Sequence, residues 1–224
     1  MSAANGSAAA PVSVKIDFVS DVVCPWCVIG LRSLEQALQR LDGKVSASIH
    51  FQPFELNPQM APEGEDIAEH IRKKYGSTAE QFTRNQENIR ARGAALGFEF
   101  RMDKRSRTYN TFDAHRLLHW ADLEGKGLAM KHALFDAYFT EGENVSDRDV
   151  LVRAAQKAGL SPERANQILD SNEFADDVRK QEQFYIANGV QGVPAVIVND
   201  RHLISGGQPP EVFEQAISQI AGIA

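Results

Sequence analysis

Val14-Lys15-Ile16-Asp17-Phe18-Val19, then Ser20-Asp21-Val22-Val23, then Cys24-Pro25-Trp26-Cys27, is the stretch that decides the fold. Alternation and β-branching over residues 14–19 predict a strand. Beyond the cysteines, Ile29, Leu31, Leu34, Leu38 and Leu41 recur near helical spacing, and Gly43 offers a left-handed stop. Pro25 falls in the first helical turn, where a missing N–H is tolerated. Val45, Ala47, Ile49 and Phe51 then alternate on one face of a second strand. The opening reads strand, helix, strand, with both cysteines at the front of the helix. A parallel βαβ unit is its natural geometry.

From residue 66 to residue 188 the pattern is helical. Thr78 opens one helix with Phe82, Ile89 and Leu96; Thr111 opens another with Phe112, Leu117 and Leu118. Leu128 to Phe139 forms a third. Ser146 with Asp149 resembles a capping box, Ser161-Pro162 is a cap with an N1 proline, and Asn172 to Asn188 closes the block. Extended structure returns at Ala195–Val198. Asn199-Asp200 turns the chain into His202–Ser205, and residues 210–220 form a final amphipathic helix. Two mixed α/β ends split by capped helices predict one α/β fold with an all-helical insertion at about 64–189. The whole spans residues 13–222, and residues 1–12 are expected to be a disordered tail. The helical block is expected to act as a lid over the core.

The chain has 224 residues, 43% hydrophobic and 24% charged, enough for a sizeable core. Its net charge of −6 argues against nucleic acid and anionic membranes as general partners. No stretch reaches the ~18 apolar residues of a membrane span. Met1 to Pro11 lacks a basic and an apolar region, so a cytoplasmic location is expected. Oligomeric state is not legible.

Cys24 and Cys27 are the only cysteines. At a helix start, the dipole and unpaired N–H groups favour thiolate on the first sulfur. The second lies one turn on, placed to attack a mixed disulfide. Cys24 is then the nucleophile and Cys27 the resolving thiol. Three plainer readings compete. Zinc needs four ligands and only two sulfurs exist. A structural disulfide over so short a loop contributes at most roughly 2 kcal/mol. Buried inert cysteines fit poorly with Asp21 and Pro25 at a strand-to-helix junction, where Cys24 is expected to face solvent.

Gly192-Val193-Pro194 directly precedes a strand. A proline there gives no ladder hydrogen bond and needs a reason. A cis peptide beside a dithiol is one: it turns the backbone of Val193 outward, where an extended peptide can pair with it. The plainer reading is a trans proline at a strand start.

With these elements in order, the sequence resembles the DsbA branch of the thioredoxin superfamily, and more narrowly its FrnE-like oxidoreductases. Further likenesses are Pro53-Phe54-Glu55-Leu56-Asn57-Pro58, Asn110-Thr111 with Ala114-His115-Arg116-Leu117, Ala137-Tyr138-Phe139, and Ile204-Ser205-Gly206-Gly207-Gln208. The resemblance covers roughly residues 13–221. It implies a thioredoxin-like fold with an inserted all-helical domain, and a protein disulfide oxidoreductase or isomerase acting on protein thiols and disulfides. Cys24 and Cys27 become the redox pair, Pro194 the cis proline, and Trp26, Val193 and Pro194 the substrate-binding residues. No cofactor is expected beyond the dithiol, with glutathione left open as a co-substrate. Two alternatives stand beside this. One is a glutathione-dependent isomerase or transferase of the kappa or 2-hydroxychromene-2-carboxylate isomerase type, although those relatives lack a CxxC pair. The other is a redox-responsive peptide-binding protein without turnover. Trp26 stands where DsbA itself has histidine, which removes a thiolate-stabilising donor and implies a less oxidising pair.

Outside the motif, His115 and His119 sit four apart on a predicted helix, but a third ligand is missing, so no metal centre is read there. They are expected as polar second-layer or surface histidines. His50 and His202 are expected to be structural. Arg101, Lys104, Arg105 and Arg107 are expected in a solvated loop, with docking of an acidic partner or small thiol as the alternative. Gly206-Gly207 is read as a turn that allows close approach near the site.

Overall fold

The computed structural model describes residues 10–223. Residues 1–9 of the expected tail lie outside the described part. The tail's boundary at 12 is corrected: Val12 already belongs to strand β1 (Val12–Ser20), paired in register with Val45 of β2 (Val45–Pro53). β1 and β2 are parallel and flank α1 (Pro25–Arg40), giving the expected βαβ unit. β1 is buried from Ile16 to Ser20 on both faces, which marks it as a central strand.

The second half of the sheet comes from the far end of the chain. β5 (Ala195–Val198) pairs antiparallel with β1, and β6 (His202–Ser205) pairs antiparallel with β5, for an order β2-β1-β5-β6. Pairing with β1 places Pro194 beside the strand that feeds Cys24, in a mixed rather than a parallel sheet. The three-residue loop Asn199–Arg201 joins the two strands, with positive φ at Asn199 and Asp200 and Arg201 N–H donating to Val198 O at 3.2 Å. α9 (Pro210–Ala221) packs on α1 and β1.

Between β2 and β5 run α2 (Ile67–Tyr75), α3 (Ala79–Ala95), α4 (Phe112–Leu123), α5 (Gly127–Phe135), α6 (Arg148–Lys157), α7 (Pro162–Leu169) and α8 (Ala175–Ala187). A π-helical turn, Asp136–Thr140, extends α5. The block is not wholly helical: β3 (Glu65–Asp66) and β4 (Arg107–Thr108) form a small antiparallel ladder that ties the α2 entry to the loop before α4. Local capping explains most helix starts. Thr78 and Gln81 form a reciprocal capping box, and Ser161 caps α7. The α6 cap is Asp147 rather than Ser146; its carboxylate accepts from Asp149 and Val150 N–H, while Ser146 Oγ donates to Asn110 O at 2.6 Å. α8 starts at Ala175 rather than Asn172, because Phe174 adopts a left-handed φ of 61° and lays its ring against His119.

One hydrophobic cluster joins both halves. Ile16, Phe18 and Leu31 of the βαβ unit belong to it together with Leu117, Leu134, Tyr138 and Leu151 of the insertion. α4, α5 and α8 pack against β2, and α3 against α1. The insertion thus supplies half of the core, and only α2 and α3 act as a wall over the cysteines. No described helix is long and apolar enough to cross a membrane.

Candidate active site

Cys24 occupies the N-cap of α1 with extended backbone, and Pro25 takes the first helical position. Cys27 N–H donates to Cys24 O at 3.1 Å, closing the first turn. That turn, Pro25-Trp26-Cys27, carries no acidic residue, and the helix dipole there favours a thiolate. Both thiols are free. The Cys27 thiol, donating to Cys24 Sγ, is the main cause that holds the Cys24 thiol below its ordinary range; the Cys27 and Trp26 N–H groups add to it, against burial and the Asp21 charge. Cys27 is pushed the other way, first by burial and then by Cys24, with Lys131 partly offsetting.

The Val193–Pro194 peptide bond is cis. Val193 O accepts from Cys24 Sγ at 3.7 Å, so the two motifs meet directly. Two glycines permit the approach. A Cβ on Gly30 would stand 2.9 Å from Pro194 Cγ, and one on Gly207 would stand 2.9 Å from Trp26 O. Trp26 is half-buried, with the Arg92 guanidinium 5.3 Å from its ring centroid.

Cys24 is not solvent-facing as expected: it is 4% exposed. It lies against a cavity of about 520 Å³ walled by Trp26 and Val193 on one side and by Ile71, Tyr75, Phe82 and Ile89 of α2 and α3 on the other. The wall over the dithiol explains the burial.

Beneath the cysteines sits a buried polar layer. Asp21, fully buried, accepts Leu56 N–H at 2.7 Å on Oδ2, and His115 Nε2 lies 3.5 Å from Oδ1. Burial pushes the Asp21 carboxyl up, but His115, Leu56 N–H and Thr111 together hold it below the usual carboxylate range. Lys131 is fully buried, its Nζ 4.9 Å from the Phe135 ring centroid and 5.8 Å from that of Phe51. Burial lowers its ammonium to about 8, against the pull of Cys27, Asp21 and Cys24. One layer further, Glu55 pairs with Arg179, and Glu182 Oε1 accepts Glu55 N–H at 2.6 Å. Arg179 also covers the Phe112 ring.

The histidine reading divides. His115 is buried against Asp21, whereas His119 lies tilted against the Phe174 ring, so the two do not converge. The basic run divides as well. Arg101 pairs with Asp103, Lys104 with Glu141, and Arg107 donates to the Glu63 and Gly64 carbonyls. Arg105 is not in a solvated loop: it is 6% exposed, under the cavity, over the Tyr138 and Phe139 rings. The ladder of β4 and the π-helical turn fold that segment inward. Lys131 carried one legible sign, a lysine inside the apolar stripe of Leu134, Phe135 and Tyr138; Arg105 carried none.

Known proteins place this geometry. A 27% identical relative, the uncharacterized protein YwbO of Bacillus subtilis (strain 168), aligns over 92% of this chain and 97% of its own. The crystal structure of a "probable DsbA oxidoreductase SCO1869" from Streptomyces coelicolor superposes with a TM-score of 0.87 at 33% identity, covering 94% of this chain and 91% of that one. A 2-hydroxychromene-2-carboxylate isomerase shares the fold at 16% identity and a TM-score of 0.68, over 94% and 99% of the two chains. The family model for the DSBA-like thioredoxin domain matches residues 15–218. With the dithiol on the N-cap of α1 and β5 antiparallel to β1, the chain belongs to the DSBA-like thioredoxin domain family.

Proposed function

We propose that this protein is a thiol–disulfide oxidoreductase in which Cys24 is the nucleophile and Cys27 the resolving thiol. The observation that carries this reading is the opposed environment of the two sulfurs: Cys24 on a helix N-cap and lowered, Cys27 buried one turn on and raised. The lowered thiol is the readier of the two to give up its proton and attack, and the raised one the readier to hold its proton until it is needed.

The Cys24 thiolate attacks one sulfur of a disulfide RS–SR′, forming a Cys24–S–SR bond and expelling R′S⁻, which takes up a proton. Cys27 then loses its proton and attacks Cys24 Sγ, forming the Cys24–Cys27 disulfide and expelling RS⁻. Two electrons leave the dithiol and two thiols are released; run backwards, the same steps oxidise a substrate dithiol. Substrates in this reading are protein disulfides delivered as extended segments past Trp26, Val193 and Pro194. The activity is read as cytoplasmic, with glutathione as a small-thiol co-substrate.

Reduction of insulin and refolding of scrambled ribonuclease test the reading. Cys24→Ser is expected to abolish both. Cys27→Ser is expected to accumulate a mixed disulfide on Cys24, visible by mass spectrometry. Full activity in Cys24→Ser would overturn the assignment, and binding of reduced peptide without turnover in the native protein would replace it with a peptide-binding role.

A further inference from the structure

Arg105 has no role in the exchange chemistry just described, yet its setting is costly. It is 94% buried by its 6% exposure, and both Nε and Nη1 are inaccessible and find no hydrogen-bond partner among the described residues. A buried guanidinium with unpaired donors is a standing penalty until an acceptor completes it, and a carboxylate is the strongest such acceptor. The Tyr138 and Phe139 rings lie 5.6 Å and 5.2 Å from its Cζ and hold the plane in place, while contributing no acceptor for its donors.

The cavity that Arg105 lines is the one that contains Cys24. Its other cation, Lys74, already donates to Leu56 O and Asn57 Oδ1. His70 there is paired with Glu65. Among the described residues that line the cavity none is Asp or Glu, although the chain carries 30 acidic residues against 24 basic ones. The protein as a whole repels anions, whereas no acidic side chain lines this cleft. Its remaining polar side chains are uncharged amides and hydroxyls, among them Asn57, Gln191, Ser77 and Thr108. A volume of about 520 Å³ is that of a small-molecule site.

We propose that Arg105 makes this cleft a site for low-molecular-weight disulfides that carry a carboxylate a few bonds from the sulfur. The carboxylate would meet the guanidinium where it lines the cavity, the side chain turning its unpaired donors toward it, and the disulfide would lie at Cys24. The proposal rests on Cys24 being the nucleophile and adds a substrate class to that reading. The chemistry is the exchange already written: the reduced dithiol gives two electrons to RS–SR, two RSH are released, and the Cys24–Cys27 disulfide forms.

The test is single-turnover oxidation of the fully reduced, full-length protein by three small disulfides of similar size. Dithiodipropionate is dianionic, 2-hydroxyethyl disulfide neutral and cystamine dicationic, and each rate is divided by that of free dithiothreitol with the same disulfide. A charge-assisted hydrogen bond predicts that native protein favours the dianion over the neutral compound by about tenfold or more, with the dication slowest. Arg105→Gln should remove the preference and leave the neutral rate unchanged; Arg105→Lys should retain part of it. The comparison in native protein stands without any variant, so a misfolded substitution leaves the test intact. Equal relative rates in native protein, or a fall in all three rates together in a folded Arg105→Gln, would overturn the proposal while leaving exchange at Cys24 standing. Failure of Cys24 to react with any disulfide, insulin included, would overturn both.

Discussion

Asp21 Oδ1 lies 3.5 Å from His115 Nε2, although Asp21 precedes the dithiol and His115 belongs to an inserted helix. The contact fastens the insertion to the base of the active site through a fully buried charge. Asp21 is also a source of negative potential that raises Cys24. Asp21→Asn is therefore expected to lower the Cys24 thiolate pKa further, read by ultraviolet thiolate absorbance against pH. It should also cost about 1–3 kcal/mol of stability at neutral pH through the weakened His115 contact. The sign with pH follows from the lowered Asp21 carboxyl. Its stabilisation is full above the ordinary carboxylate value and is lost as pH falls through the folded one. Chemical denaturation of both proteins should show the difference shrinking in acid.

Lys131 behaves in the opposite sense. Its folded value of about 8 lies below the unfolded 10.5, so below about pH 8 the fold carries the whole cost of a buried ammonium. That cost is relieved as pH rises from 8 to 10.5. The gap corresponds to about 3 kcal/mol. Lys131→Met keeps volume and removes the charge, and is expected to stabilise the reduced protein by about 1–3 kcal/mol at pH 7, and by little near pH 10. The same change removes a charge that lowers Cys27, so the mixed disulfide in a stopped reaction should persist longer.

The Cys27 thiol is the main cause of the lowered Cys24 value. A serine hydroxyl retains a donor at that position and alanine does not. Cys24 should titrate below the ~8.5 of free cysteine in Cys27→Ser and move back toward it in Cys27→Ala. Equal titrations in the two variants would assign the effect to the helix N-terminus alone.

Gly30 is the point where α1 meets the start of β5. An alanine Cβ there would stand 2.9 Å from Pro194 Cγ. Helix propensity favours alanine by about 1 kcal/mol, and overpacking costs typically about 1–3 kcal/mol. Gly30→Ala is expected to lose about 1 kcal/mol net in thermal or denaturant unfolding. Moving Val193 O away from Cys24 Sγ should also slow disulfide exchange at Cys24, measured with a small disulfide.

The periodicities determined the βαβ opening, the C-terminal hairpin and helix, and nearly every capped helix between them, because these depend on neighbours within one turn or one hairpin. The cysteine spacing on a helix start and the proline before a strand identified the dithiol and its companion before any contact was known. Tertiary structure alone decided the rest. It set β5 antiparallel to β1, buried Cys24 behind α2 and α3, and drew Lys131, His115 and Arg105 inward from three segments of the insertion. Burial of a charged side chain is a property of what packs over it from distant parts of the chain. Arg105 has the same local sequence whether solvent or the Tyr138 and Phe139 rings lie beneath it. The electrostatics of the site therefore came from the fold, while the proposed sulfur chemistry rests on four consecutive residues.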